Sequence, residues 1–328
     1  MNIGWIEISK KKYGGVIYNE QAREALADSF NVELVVSEPK YLNKFRYFKI
    51  PESLFYLMGL KGNKDLWIRD FYSTLTMPFD KTIGKNMAVI HHDDFSGFPV
   101  FVRPIFKIAQ RFFYKNLKKV DVIVTVSEYW RKYFLDKGYK NVYKIYNGFN
   151  LKDFDISEKE VIDFKNKYNL SGKQIIYLGN CQKAKGVVES YNALEDLDAY
   201  LVTSGKRKVK IPNINLDLDY KDYLKLLKAS SVVLTMSKFK EGWCRTAHEA
   251  MLCKTPVIGS GKGGMKELLD GGKQIVCQDF KNLKKEVEYL LNNPEEREKR
   301  GNSGYDFAKE FTLEKFKQEW LGLIKKII

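Results

Sequence analysis

Short apolar runs alternate along this chain with stretches in which apolar residues recur every three to four positions. In the first half the runs predict strands over residues 3–8, 32–36, 66–68, 88–92, 122–126 and 143–146. Helical spacing falls over 18–29, 102–118 and 128–137. The second half repeats the style, with strands over 174–178, 200–203, 231–236, 256–259 and 274–277. Its helices fall over 186–194, 220–229, 247–253, 283–291 and 295–311. A last helix over 313–327 follows Thr312, a good N-cap residue. Strands alternating with helices of this length predict an α/β fold of parallel sheets, here two doubly wound domains facing each other. The turn dipeptide Asn147-Gly148 ahead of a polar stretch marks the boundary, giving domains over 1–148 and 149–311.

Composition agrees with two globular domains: 328 residues, 44% hydrophobic and 30% charged. Disorder and a coiled coil are excluded as whole-chain descriptions. No run of eighteen apolar residues is present, and the N-terminal segment reads as a strand rather than a secretory leader. Charge changes the picture more. Lys plus Arg total 56 against 41 Asp plus Glu, a net of +15. Such an excess suits an anionic partner, whether nucleic acid, a membrane surface or a phosphorylated substrate, without choosing among them. The four cysteines show no CxxC spacing and there are three histidines, so no zinc cluster is expected and a reduced cytoplasm is the default setting.

Ligands of open parallel sheets bind beyond the carboxyl ends of the strands, so residues just after each strand carry the most information. After the run 231–236 the chain reads Ser237-Lys-Phe-Lys-Glu241-Gly-Trp-Cys-Arg-Thr-Ala-His-Glu249. Glu241 falls in a strand-to-helix loop, and Gly242 permits a sharp turn. Backbone N–H groups around Cys244, Arg245 and Thr246 open the next helix and form a ready anion site. Glu249 lies one to two turns further on. A carboxylate repels phosphate but accepts hydrogen bonds from two hydroxyls, so the arrangement suits a sugar phosphate.

Glu241, Glu249-Ala-Met, Thr255-Pro256-Val-Ile, Gly263-Gly264 and Glu267, in this order and spacing, resemble the donor-site signature of family 4 retaining glycosyltransferases. The resemblance extends over most of the chain. It takes in Tyr13-Gly14-Gly15, the run from Val120-Asp121 to Ser127, Tyr146-Asn147-Gly148-Phe149-Asn150 with Phe154, and Ile176-Tyr-Leu-Gly179 with Lys185-Gly186. It implies the GT-B fold, two Rossmann-like domains with an interdomain cleft, the last helix (312–328) packing back on the first domain. It implies transfer of a sugar from a nucleotide-diphosphate donor to an acceptor hydroxyl with retention at the anomeric carbon, the leaving phosphate helping to deprotonate the acceptor. The nucleotide-diphosphate sugar is then the expected partner, the acceptor (glycan, lipid-linked or other) stays unknown, and neither a cofactor nor a metal is expected.

The same resemblance implies roles for single residues. Glu249 contacts the ribose hydroxyls, where the bland reading is a solvated helix carboxylate. Glu241 contacts the donor sugar near the developing positive charge, against a plain loop acid. Lys185 holds the diphosphate, a fixed cation that stabilises the leaving group. Gly14 and Gly15 let backbone approach phosphate and acceptor, against an ordinary turn before a helix. His92, ending the strand 88–92 ahead of Asp93, hydrogen-bonds the donor sugar, against a capping pair. Two positions depart from the family pattern. Asn180 stands where arginine is usual, removing one positive clamp for which Lys183 is the nearest replacement, and Cys244 stands where glycine is common and narrows the space near the sugar. Contacts to the nucleobase are expected from the loop 214–219. His91-His92-Asp93-Asp94 could suggest metal ligands, but neighbours on a strand point to opposite faces.

Arg103, Lys107, Arg111 and Lys115 recur every four residues as one helical stripe, while Val102, Ile105, Phe106, Ala109, Phe112 and Phe113 form the face expected to be buried. The stripe reads either as the wet side of a domain helix or as a surface for anionic lipid, which would make the protein peripheral on the inner face of a membrane. Two other function classes stay open. The charge permits a DNA-binding or DNA-modifying transferase, although no recognition motif is present. Asn180 permits a catalytically silent GT-B partner subunit.

Overall fold

The computed structural model describes residues 1–8, 14–37, 49–98 and 100–327. It divides into two compact units, one of residues 1–95, 99–148 and 313–328, the other of 96–98 and 149–312. Tyr13 lies outside the described residues.

The first unit runs β1 (Asn2–Glu7), α1 (Gly14–Ala27), β2 (Asn31–Val36), α2 (Lys49–Met58), β3 (Lys61–Arg69), α3 (Phe71–Thr76), β4 (Lys81–Ile90), α4 (Arg103–Leu117), β5 (Val122–Thr125), α5 (Glu128–Asp136) and β6 (Val142–Lys144). Its six strands pair in parallel in the order β2-β1-β3-β4-β5-β6. Ile90, Ile123, Phe113, Trp130 and Phe134 fill the layer between sheet and helices. Arg69 is fully buried at the end of β3, but its guanidinium donates to Asn86 (2.6 Å), Asp80 (2.8 Å), Thr82 (2.6 Å) and the Ser73 carbonyl (3.0 Å). Four hydrogen bonds, one of them to a carboxylate, offset the cost of burying this cation, which ties β3 to β4 and α3.

The second unit runs α6 (Glu158–Lys167), β7 (Gln174–Asn180), α7 (Val187–Leu194), β8 (Ala199–Ser204), β9 (Ile214–Leu216), α8 (Tyr220–Ala229), β10 (Val232–Thr235), α9 (Arg245–Leu252), β11 (Val257–Gly259), α10 (Met265–Gly271), β12 (Ile275–Val276), α11 (Phe280–Asn292) and α12 (Pro294–Ala308). Its six strands are parallel in the order β12-β11-β10-β7-β8-β9. Ile176, Leu178, Val232, Leu234 and Ile258 are buried on both sides, as strands covered by helices on each face must be. The chain enters and leaves this unit side by side: Phe149 bridges Thr312 in parallel, and its N–H donates to the Phe311 carbonyl (3.0 Å).

The last helix, α13 (Leu313–Ile327), belongs to the first unit. Phe316, Trp320, Leu323 and Ile324, spaced i, i+4, i+7, i+8, are its buried stripe. Trp320 packs on Trp5 and Tyr18, and the Tyr18 hydroxyl donates to the Ile145 carbonyl (3.0 Å).

The structure corrects several expected elements. Helix α1 begins at Gly14, so Gly14 and Gly15 form its first turn rather than a loop before a helix starting at Tyr18. Strand β4 ends at Ile90, so His91, His92 and Asp93 lie past the strand, and the argument from alternating strand faces does not apply to them. The strand expected over 143–146 is Val142–Lys144. Helices α2, α3, α6 and α10 and strand β9 carry no expectation from the sequence, the last falling where a nucleobase loop was expected.

Candidate active site

The second unit brings its candidate residues together because β7 and β10 are neighbours and parallel, so their carboxyl-end loops emerge side by side. The loop after β7 makes a short 3-10 turn, Lys183–Lys185, that closes on Gly186. Gly186 has φ +71°, and a Cβ there would lie 2.3 Å from the Met236 carbonyl oxygen at the exit of β10. Glycine is what allows the two loops to touch. They are joined by a backbone bond from Lys238 N–H to the Ala184 carbonyl (2.9 Å). The consequence is an ion pair between Lys185 Nζ and Glu241 Oε1 at 2.6 Å, the carboxylate being 9% exposed and the lysine 34%. Burial pushes the Lys185 ammonium toward losing its proton, but Glu241 more than offsets that, and the pKa ends above its ordinary value. Lys185 therefore stays charged at neutral pH.

Glu241 is held from behind. The Ser237 hydroxyl donates to its Oε1. Its backbone pairs with the loop after β11, the N–H donating to the Lys262 carbonyl (3.1 Å) and the carbonyl accepting from Gly264 N–H (2.9 Å). Gly263, at φ +69°, makes this clamp possible, since a Cβ would sit 2.4 Å from the Glu241 carbonyl oxygen. The Gly263-Gly264 pair thus positions the acid.

Cys244 is the N-cap of α9, with φ +77° and no side-chain capping bond. A non-glycine residue in this region is strained, which is the physical reason a glycine suits the position. The thiol is buried, and burial with the nearby Glu241 charge pushes its pKa up to about 12, so it stays neutral and is no nucleophile.

Glu249 is buried in the second turn of α9. Its Oε2 accepts from the Tyr223 hydroxyl (3.1 Å), and its Oε1 from the Tyr220 hydroxyl (3.4 Å), with Arg245 Nε 3.5 Å from the same oxygen. The Arg245 guanidinium also lies over the Phe149 ring at 4.4 Å. Burial raises the Glu249 pKa despite these partners. The Thr246 and Tyr223 hydroxyls lie 3.3 Å apart. Asn180 ends β7 and is exposed, as is Lys183 in the adjoining turn.

Tyr220 and Tyr223 escaped sequence reasoning, although they sit one turn apart in a helix that the periodicity locates. His248 escaped it too. Its Nδ1 accepts from Trp243 Nε1–H (3.0 Å), its Nε2–H donates to the Ala308 carbonyl (3.0 Å), and its ring stacks on Phe149 at 4.1 Å. Neutral imidazole alone satisfies both bonds, and burial holds the pKa down at about 3. Between pH 6.5 and 3 the unfolded chain takes up the proton first, so stability present above pH 6.5 is lost as pH falls. We expect a loss of about 2 kcal/mol at pH 5. Denaturant unfolding at pH 7.5 and 5 measures it, and His248→Gln should shrink the difference.

In the first unit, His92 follows β4 and Gly14 and Gly15 open α1. The α4 stripe is only partly as expected. Lys107, Arg111 and Lys115 are exposed, but Arg103 is half-buried. Of the face expected to be buried, Phe113 is covered whereas Ile105 and Phe112 face water, because the sheet covers only a narrow side of this helix. Among the described residues no helix is long and apolar enough to cross a membrane.

Known proteins share this architecture. Residues 158–307 match the family Glycosyl transferases group 1. An uncharacterized glycosyltransferase of Methanocaldococcus jannaschii is 29% identical over 226 residues, covering 63% of this chain and 60% of the relative. The chain thus spans about three fifths of the length of the curated relatives it matches first. Among solved structures, Anabaena HepE in complex with UDP and glucose has TM-score 0.78 at 14% identity, covering 99% of this chain and 100% of that one. Sucrose-phosphate synthase from Thermosynechococcus elongatus has TM-score 0.80 at 17% identity, covering 99% and 98%. Residues 158–307 thus resemble the glycosyl transferases group 1, and the chain has the two-domain GT-B fold of these solved structures.

Proposed function

We propose that this protein is a family 4 glycosyltransferase that moves a sugar from a nucleotide-diphosphate donor to an acceptor hydroxyl with retention of anomeric configuration and without a metal ion. The observation that carries the reading is the Lys185–Glu241 pair beside the N-terminus of α9, with Glu249 further along the same helix. In this reading the Lys185 ammonium and the backbone N–H groups of Arg245 and Thr246 take the diphosphate and offset the charge that develops as the glycosidic bond breaks. Glu249 accepts from the ribose hydroxyls, and Tyr220 and Tyr223 hold its carboxylate in place. Glu241 orients hydroxyls of the transferred sugar. The leaving phosphate takes the acceptor proton, so no protein nucleophile is invoked, in keeping with the neutral Cys244 thiol. HepE was crystallised with UDP-glucose, which makes a UDP-sugar the first donor to try. The four free, buried thiols suit a reducing, cytoplasmic setting.

The test is a panel of UDP-, GDP- and ADP-sugars scored by thermal shift and donor hydrolysis, with and without EDTA. A bound donor at a hundredfold excess over its Kd should stabilise by about 2.7 kcal/mol. Turnover should be unchanged in EDTA, and the product should keep the donor's anomeric configuration by NMR. Failure of all three nucleotides to stabilise the protein would favour the silent partner subunit. Glu249→Gln should weaken nucleotide binding roughly tenfold or more, as loss of a charged acceptor does. The same change should raise the melting temperature of the ligand-free protein, because the fold raises the Glu249 pKa and so disfavours the carboxylate at neutral pH. Opposite movements of affinity and stability separate a ligand contact from a structural one.

A further inference from the structure

Asn180 leaves the donor reading one cation short, and the strand pairing shows where a replacement stands. In the parallel pair of β7 and β8, Asn180 lies opposite Ser204, the last residue of β8. The chain then runs Gly205-Lys206-Arg207-Lys208-Val209-Lys210. From 199 to 216 it holds four Lys or Arg and no Asp or Glu. This loop is held firmly. The Arg207 guanidinium turns inward and donates to the Ile211 and Asn213 carbonyls (both 3.0 Å). The Gly205 N–H donates to the Leu216 carbonyl (2.8 Å), and the Asn215 side-chain amide donates back to the Gly205 carbonyl (3.0 Å). The loop is also tied to the exit of β7, where the Lys208 N–H donates to the Cys181 carbonyl (3.0 Å). With Arg207 engaged by the loop itself, Lys206, Lys208 and Lys210 stand exposed and enter no ion pair among the described residues.

Among these lysines the backbone favours Lys206. A Cβ added to Gly205 would lie 2.6 Å from Asn180 Oδ1, so the Asn180 amide abuts the residue just before Lys206. One Cα–Cα step further, the Lys206 backbone stands within about 8 Å of that amide. A lysine side chain spans most of this distance. Lys183, the nearest replacement by sequence, has another attachment. Burial alone would raise the pKa of Glu189 on α7, but a hydrogen bond from Lys238 and the charges of Lys238 and Lys183 bring it below its ordinary value. Lys183 therefore sits in the field of an acid of its own. We infer that Lys206 supplies the second positive clamp on the donor diphosphate, the charge having moved from the end of β7 to the loop after the neighbouring strand. The inference rests on the donor reading and deepens it. It gives a chain without the usual arginine a second cation for the leaving group, where the silent-subunit reading of Asn180 leaves the basic loop without a role.

Hydrolysis of UDP-, GDP- and ADP-glucose by the full chain tests it. Lys206→Gln should lower kcat by roughly tenfold or more, with donor KM held within about threefold, since the diphosphate gains charge as the sugar leaves. The melting temperature of the ligand-free protein should not move, because the ammonium has no partner in the fold. Lys210→Gln removes the same charge from the same loop and should change kcat by less than about twofold, because an exposed charge farther off is screened. Asn180→Arg should restore most of the activity lost in Lys206→Gln yet add less than about twofold to the wild type, the non-additivity of two cations serving one place. Equal kcat in Lys206→Gln and wild type, an equal loss in Lys210→Gln, or an equal gain from Asn180→Arg in both backgrounds would overturn the inference. Glu249→Gln separates it from the reading beneath it. Weaker nucleotide binding in that variant beside an unchanged Lys206→Gln overturns the Lys206 assignment alone. Hydrolysis of no donor by the wild type, with nucleotide binding untouched by Glu249→Gln, overturns the donor reading and the inference with it.

Discussion

Lys185→Met is expected to lower kcat by roughly 10²–10³-fold, the range seen when one fixed donor to a developing negative charge is removed. The fall should lie mainly in kcat, because the diphosphate gains its full negative charge only as the sugar leaves. The geometry makes the substitution more than a local deletion. Lys185 is the ion-pair partner of Glu241 at 2.6 Å, so the variant leaves a carboxylate of 9% exposure without its cation. Removing one member of such a pair costs more than the pair contributes, since the remaining charge is left in a poorly hydrated place. Lys185→Met with Glu241→Gln should therefore be more stable than Lys185→Met alone, yet no more active. Steady-state kinetics and thermal unfolding on the two variants check both statements. Stability restored together with activity would reduce Lys185 to a structural counter-ion.

Gly186→Ala should damage both stability and catalysis, although the proposed mechanism gives Gly186 no contact with the donor. The αL conformation costs an alanine about 1 kcal/mol or more. Here the added Cβ also meets the Met236 carbonyl oxygen at 2.3 Å and the Phe280 ring at 2.8 Å, so one of the two loops must move. Gly172 supplies the control, with φ +96° and nothing within 4 Å of the added carbon. Gly172→Ala should cost about 1 kcal/mol from backbone conformation alone. Gly186→Ala should exceed it by a further 1–2 kcal/mol, by analogy with overpacked cores. The excess should appear in catalysis too, because Lys185 precedes the displaced residue directly. Equal losses in the two variants would mean that the Lys185 turn relaxes freely and does not depend on contact with β10.

The sequence carried the alternation of strands and helices because the central strands, such as β5 and β10, are buried throughout and the long helices bury mainly one side. The helices over 220–229 and 313–327 fall where periodicity puts them. Lys185, Glu241 and Glu249 were legible as loop and helix-start residues. Their convergence was not, because it depends on β10 lying beside β7 and not beside β8 or β9. Tyr220 and Tyr223 stayed hidden for the same reason: nothing local says that one turn of α8 faces α9. The α4 face failed differently. Periodicity reports that a helix has an apolar side and cannot say whether the protein covers it, so Ile105 and Phe112 read as core although they stand in water. His92 was misplaced by two residues of strand length, enough to remove the alternation on which its orientation was argued.

The stitch between Phe149 and Thr312 has a consequence for how such a chain can change over time. Because entry and exit share one seam, 164 consecutive residues (149–312) form a cassette whose ends already meet, and a single insertion event could carry it whole into another host. On the proposed function, recognition of the activated sugar would travel with the cassette, while the receiving chain would decide what is decorated.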